Sequence, residues 1–62
     1  MTLDEFDSRK WVNGMTCMHD GRYRKIASVD FQEKLIGLKN MDETDMVDWV
    51  RCENVTAVAD PL

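Results

Sequence analysis

The chain has 62 residues, a formal net charge of −4, 44% hydrophobic and 32% charged residues. That is room for one domain, which at this size buries only about 60% of its unfolded surface, and the composition is that of an ordinary globular chain rather than a disordered one. No apolar run approaches the roughly 20 residues of a membrane helix, and the acidic opening MTLDEFDSRK lacks the apolar core of a signal peptide, so a cytoplasmic location is expected.

Thr2-Leu3-Asp4-Glu5 matches a capping box, with Thr2 as N-cap and Glu5 at the third helical position. Leu3, Phe6 and Lys10 would then share one side of a helical turn or two. So short a helix persists only if it docks on the rest of the chain, and the alternative is a frayed tail. Residues 1–10 are therefore expected to be a short helix or a tail ahead of a single domain over 11–60. Asn13-Gly14 is a turn signal, and a first strand is expected over Met15–His19. Asp20-Gly21 is a strong hairpin signal, because a two-residue type I′ turn needs positive φ at both positions. The second strand, Arg22 to Phe31, is long, and its alternation breaks: Tyr23, Ala27, Val29 and Phe31 are odd-numbered while Ile26 falls between them. A strand bent to serve both walls of a small barrel accounts for this, as does a bulge near Ala27-Ser28; the bent strand is the preferred account.

The polar step Gln32-Glu33-Lys34 precedes Leu35-Ile36-Gly37-Leu38, a run of strand length. A competing helix over 30–39 would gather Phe31, Leu35 and Leu38, but Gly37 weakens it by about 1 kcal/mol relative to Ala. Residues 39–45 read as an acidic loop, and Met46–Cys52 as a strand with Val47 and Trp49 on one side and Met46, Asp48 and Val50 on the other. Glu53-Asn54-Val55 suits a tight 3₁₀ turn, and Thr56-Ala57-Val58 a closing strand.

A long hairpin, a third strand, a loop, a Trp-bearing fourth strand, a one-turn helix and a short last strand follow the order of an SH3-like barrel. The stretch GMTCMHDGRYRKIASVDF resembles the opening strands of Tudor- or KOW-type members, and WVRCENVTAV is similar to their closing strand, turn and strand. The resemblance covers roughly residues 14–58 and lies in hydrophobic spacing. The expected fold class is therefore all-β, a small five-stranded SH3-like barrel with an optional N-terminal helical turn. The small size also resembles that of short accessory proteins of phages and mobile elements. The resemblance implies a binding module rather than an enzyme, with Phe31 expected in the core. KOW-type members that bind RNA are typically basic, and this chain is acidic.

Charge is segregated along the chain. Arg9, Lys10, Arg22, Arg24 and Lys25 make the hairpin region basic, while Asp42, Glu43, Asp45, Asp48 and Glu53 make the later loop and strand acidic. The simplest account is that these segments lie side by side and complement each other. The expected partner-binding surface is Trp49, Tyr23 and the acidic loop Asp42, Glu43 and Asp45, contacting another protein. Trp49 is ambiguous, and core packing is favoured over an exposed anchor because Trp is highly buried on average. The alternative function is nucleic-acid binding through Arg22, Arg24 and Lys25 with Tyr23 between them, combining backbone neutralisation with base stacking.

Cys17 and Cys52 are most simply small buried apolar residues, and a single disulfide between them is the lesser expectation. Cys17-x-His19 matches zinc-ligand pairing poorly, so no metal or cofactor is expected. One histidine beside a turn, and too small a barrel for a pocket of about 300 Å³, argue against catalysis. A monomer or weak homodimer is expected, since an unpaired edge strand can join two copies.

Overall fold

A computed structural model describes residues 1–39 and 46–61. The chain opens with helix α1 (Leu3–Ser8) and continues through β1 (Thr16–His19), β2 (Arg22–Asp30), β3 (Leu35–Lys39) and β4 (Val47–Arg51). A 3₁₀ turn (Cys52–Asn54) then leads into β5 (Val55–Ala59). The five strands form one antiparallel sheet in the order β4-β3-β2-β1-β5, so the fold is all-β as expected. The sheet is not closed into a barrel: β4 and β5 are its two edges.

Local chemistry explains most element boundaries. The Thr2 hydroxyl accepts the Glu5 N–H at 3.1 Å and Glu5 Oε1 reaches back toward the Thr2 N–H, completing the capping box. The helix docks through Phe6, which is fully buried, whereas Leu3 and Lys10 stay exposed. Asp20 and Gly21 have φ of 54° and 72°, the left-handed pair that a type I′ hairpin requires. After β2, the Asp30 carboxylate accepts the N–H groups of Gln32 (2.9 Å) and Glu33 (3.1 Å) and turns the chain. That turn ends in the strand Leu35–Lys39, not in the competing helix over 30–39.

β2 serves two ladders. Arg22–Lys25 pair with β1, and Ile26–Asp30 pair with β3, with a register shift between Ile26 and Ser28. The extra residue is Ala27, a bulge at the position where the sequence alternation breaks. It lets Arg24 and Ile26 on one side of the bulge, and Val29 on the other, face the same way. A second bulge lies in β5, where Ala57 has φ of 49° and the β1 ladder shifts between Thr16 and Met18.

The core gathers Phe6, Cys17, Ile36, Leu38, Cys52 and Val55, all fully buried, with Trp11, Ile26, Val29, Val50 and Val58 packed against it. Ile36 and Leu38 point inward from β3, so Gly37 faces outward. Gly37 is nonetheless buried, because Trp49 lies directly across on β4 and covers it. A Cβ at Gly37 would stand 2.6 Å from Val47 Cγ1, 3.2 Å from the Trp49 ring and 3.3 Å from the Ser28 carbonyl oxygen.

Two aromatic expectations are corrected here. Phe31 is 52% exposed rather than core, because β2 ends at Asp30 and Phe31 falls in the turn. One face of its ring still meets Phe6 at 5.5 Å between centroids. Trp49 is 49% exposed rather than core-packed, because it shares the outward side of β4 with Val47 while Val50 takes the inward side.

Candidate functional site

The residues singled out by sequence fall in three places. On β2, strand alternation puts Arg22 and Arg24 on one face and Tyr23 and Lys25 on the other. Arg24 pairs across from the buried Cys17 and is held there: its guanidinium donates to Asp48 Oδ2 at 3.0 Å and to the Lys39 carbonyl at 3.2 Å. This one pair joins the basic hairpin to β4, but β3 lies between the two strands, so they do not lie side by side as the charge pattern suggested. Tyr23 is 63% exposed, with its hydroxyl 2.8 Å from that of Thr16. The four residues therefore do not form one patch. Asp42, Glu43 and Asp45 lie outside the described residues, so Trp49 and Tyr23 are the placed members of the expected partner surface.

Among the described residues, the aromatic pairs instead centre on Phe6, which meets Trp11 at 5.4 Å and Phe31 at 5.5 Å. The Trp11 indole N–H donates to the Phe6 carbonyl at 3.1 Å, so the short helix orients the ring. Lys34 Nζ sits 5.9 Å from the Phe6 ring and 2.6 Å from Asp7 Oδ1, fixing the turn that carries Phe31 to α1.

An open cleft of about 600 Å³ lies beside these rings. The connection from α1 to β1 supplies Arg9, Trp11, Val12 and Asn13; β2 and the following turn supply Ile26–Val29 and Phe31. This volume corrects the expectation that so small a domain holds no pocket, and it falls within the range of ligand sites. The cleft exists because two ladders end at different places. β1 leaves β2 after the pair Thr16–Lys25 and one further bond from the Ile26 N–H to the Met15 carbonyl at 2.9 Å, while β2 runs on to Asp30. Among the described residues, Arg9 is the one charged residue of the lining. Its guanidinium donates to the Val58 carbonyl and to Asp60 Oδ1, both at 3.3 Å. Sequence reasoning missed this site, although two signals pointed to it: apolar Trp11-Val12 falls outside any strand, and the alternation breaks at Ile26–Ser28.

Cys17 and Cys52 are free thiols buried in the same core. Burial raises the Cys17 thiol above its ordinary value, against a smaller opposing pull from Arg24. Burial, then the hydrogen bond and charge of Glu53, do the same for Cys52, whose Sγ lies 3.3 Å from Glu53 Oε1. Both therefore stay protonated near neutral pH, when the nucleophile and metal ligand is the thiolate. Among the described residues, no three His, Cys, Asp or Glu side chains converge as a metal site, and no helix is long and apolar enough to cross a membrane.

Comparison with protein-family models, with curated proteins and with solved structures gives no match.

Proposed function

We propose that the chain is a small SH3-like, non-enzymatic binding module whose partner is another protein. The observation that carries this reading is the cleft between Trp11 and Phe31: a concave surface that sets two aromatic rings beside the polar groups of Arg9, Asn13 and Ser28, in a molecule whose thiols are held neutral. Aromatic-lined grooves bind extended peptides because flat rings offer large contact area at little entropic cost. The SH3-like assignment rests on strand order, with β5 beside β1 and a 3₁₀ turn between β4 and β5.

The test is capture from a lysate of the native source, with and without nuclease, using the wild-type chain, Val12→Glu and Trp49→Ala. Val12 lines the cleft and is 42% exposed, so the change puts a charge in the site without emptying the core. A protein retained by the wild type and by Trp49→Ala but lost with Val12→Glu supports the reading. Loss with Trp49→Ala alone moves the site to the outer face of β4. Material that vanishes with nuclease refutes a protein partner.

A further inference from the structure

Beyond Lys25, the side of β2 that β1 has left has no neighbouring strand among the described residues, yet past the Ala27 bulge Ser28–Asp30 remain extended and paired with β3 on the other side. The segment is therefore an internal sheet edge, reached through the cleft instead of along the rim. Ala27, Ser28 and Val29 line that cleft between Trp11 and Phe31, and among the described residues its charged lining residue is cationic Arg9. The Arg9 hold on Asp60 is long, at 3.3 Å, and Asp60 is itself 73% exposed at the side chain. The Arg9 Nε is buried with no hydrogen-bond partner.

We infer that the occupant of this cleft is an extended segment of another protein that adds as a strand to the Ser28–Asp30 edge and sets a carboxylate on Arg9. This rests on the protein-binding reading and names the partner's chemistry. Each requirement of the occupant corresponds to a feature of the site. The exposed strand edge asks for backbone donors and acceptors in extended conformation, which an added strand supplies. Trp11, Val12 and Phe31 ask for apolar side chains at alternate positions. Arg9 asks for a carboxylate, which a planar guanidinium binds better than any neutral acceptor. Because Asp60 already neutralises Arg9, the incoming carboxylate must displace it, which makes Asp60 a competitor rather than a contact.

The experiment selects binders to the full chain from a random-heptapeptide library and titrates the winners into the isotope-labelled protein. The expected peptides carry one Asp or Glu and apolar residues at alternate positions, and they slow amide exchange at residues 28–30. Arg9→Gln should weaken them about tenfold, and a winner's carboxamide twin should lose a similar factor. Asp60→Asn should strengthen them several-fold by freeing Arg9, a gain that a purely structural Arg9 would not produce. Winners that shift Trp11 and Phe31 but leave residues 28–30 unprotected, or that ignore both substitutions, overturn the strand-addition inference and leave the cleft reading standing. Winners that shift only Trp49 and Tyr23, or a library that yields none, overturn both.

Discussion

Replacing Phe6 by Ala tests whether the six-residue helix is part of the fold or an ornament on it. Phe6 is fully buried, and its ring meets Trp11, Phe31 and the Lys34 ammonium. Truncating a buried Phe to Ala costs about 3–5 kcal/mol, and two tilted aromatic pairs push the figure toward the upper end. At about 0.05–0.15 kcal/mol per residue, a chain of this length has about 3–9 kcal/mol in total. The variant should therefore lose about a third or more of its stability and, at the lower end of that total, be largely unfolded at 25 °C. Urea titration followed by tryptophan fluorescence reads this directly, since Trp11 packs on the deleted ring. A loss below about 1 kcal/mol would refute the docking argument and return residues 1–10 to a frayed tail.

Gly37→Ala should cost about 1–3 kcal/mol by overpacking, and Val47→Ala in the same chain should recover part of it, because Val47 Cγ1 is the nearest obstacle; thermal melts of the single and double variants give the coupling. Asp48→Asn should cost no more than about 1 kcal/mol, since Asp48 is half exposed, and the loss should shrink in high salt when followed by denaturant titration. With both thiols raised above their ordinary 9.0, the folded and unfolded chains hold the same thiol protons below that pH, so the thiols contribute no slope there. Above it the unfolded chain releases its protons first, and stability falls by up to about 1.4 kcal/mol per unit per thiol until the folded groups titrate. Urea midpoints from pH 7 to 10.5 should show this decline, shallower in Cys17→Ala; identical slopes would refute it.

What was legible in the sequence was local. The capping box and the Asp20-Gly21 turn depend on residues within a few positions of each other, and both read directly from residue type. The break in alternation at Ile26 pointed to β2's irregularity, but a bent strand was the preferred account of it, and the ladder shows a bulge at Ala27. Trp49 and Val47 were correctly placed on one side of their strand, but nothing local says which side faces the core when Val50 offers a rival apolar residue. Phe31 was misjudged for a related reason: a turn begins one residue earlier than the hydrophobic pattern implies. The cleft was the least legible feature, since it joins residues 9–13 to residues 26–31 and depends on where two hydrogen-bond ladders stop.

The placement of β5 beside β1 gives the two halves of the sheet different histories. β1 through β4 pair with sequence neighbours, whereas β5 reaches β1, and α1 reaches the 3₁₀ turn, only by closing most of the chain into a loop. Arg9 on Asp60 and the Met1 amino group on the Val55 carbonyl fasten that closure. Loop closure must precede any return from such contacts, so the neighbour-paired strands should form before the ends join. Losses in α1 or β5 then appear in the unfolding rate and leave the folding rate almost unchanged, as stopped-flow measurements on Phe6→Ala would record. The joined ends act as a latch, setting how long the molecule stays folded rather than how fast it gets there.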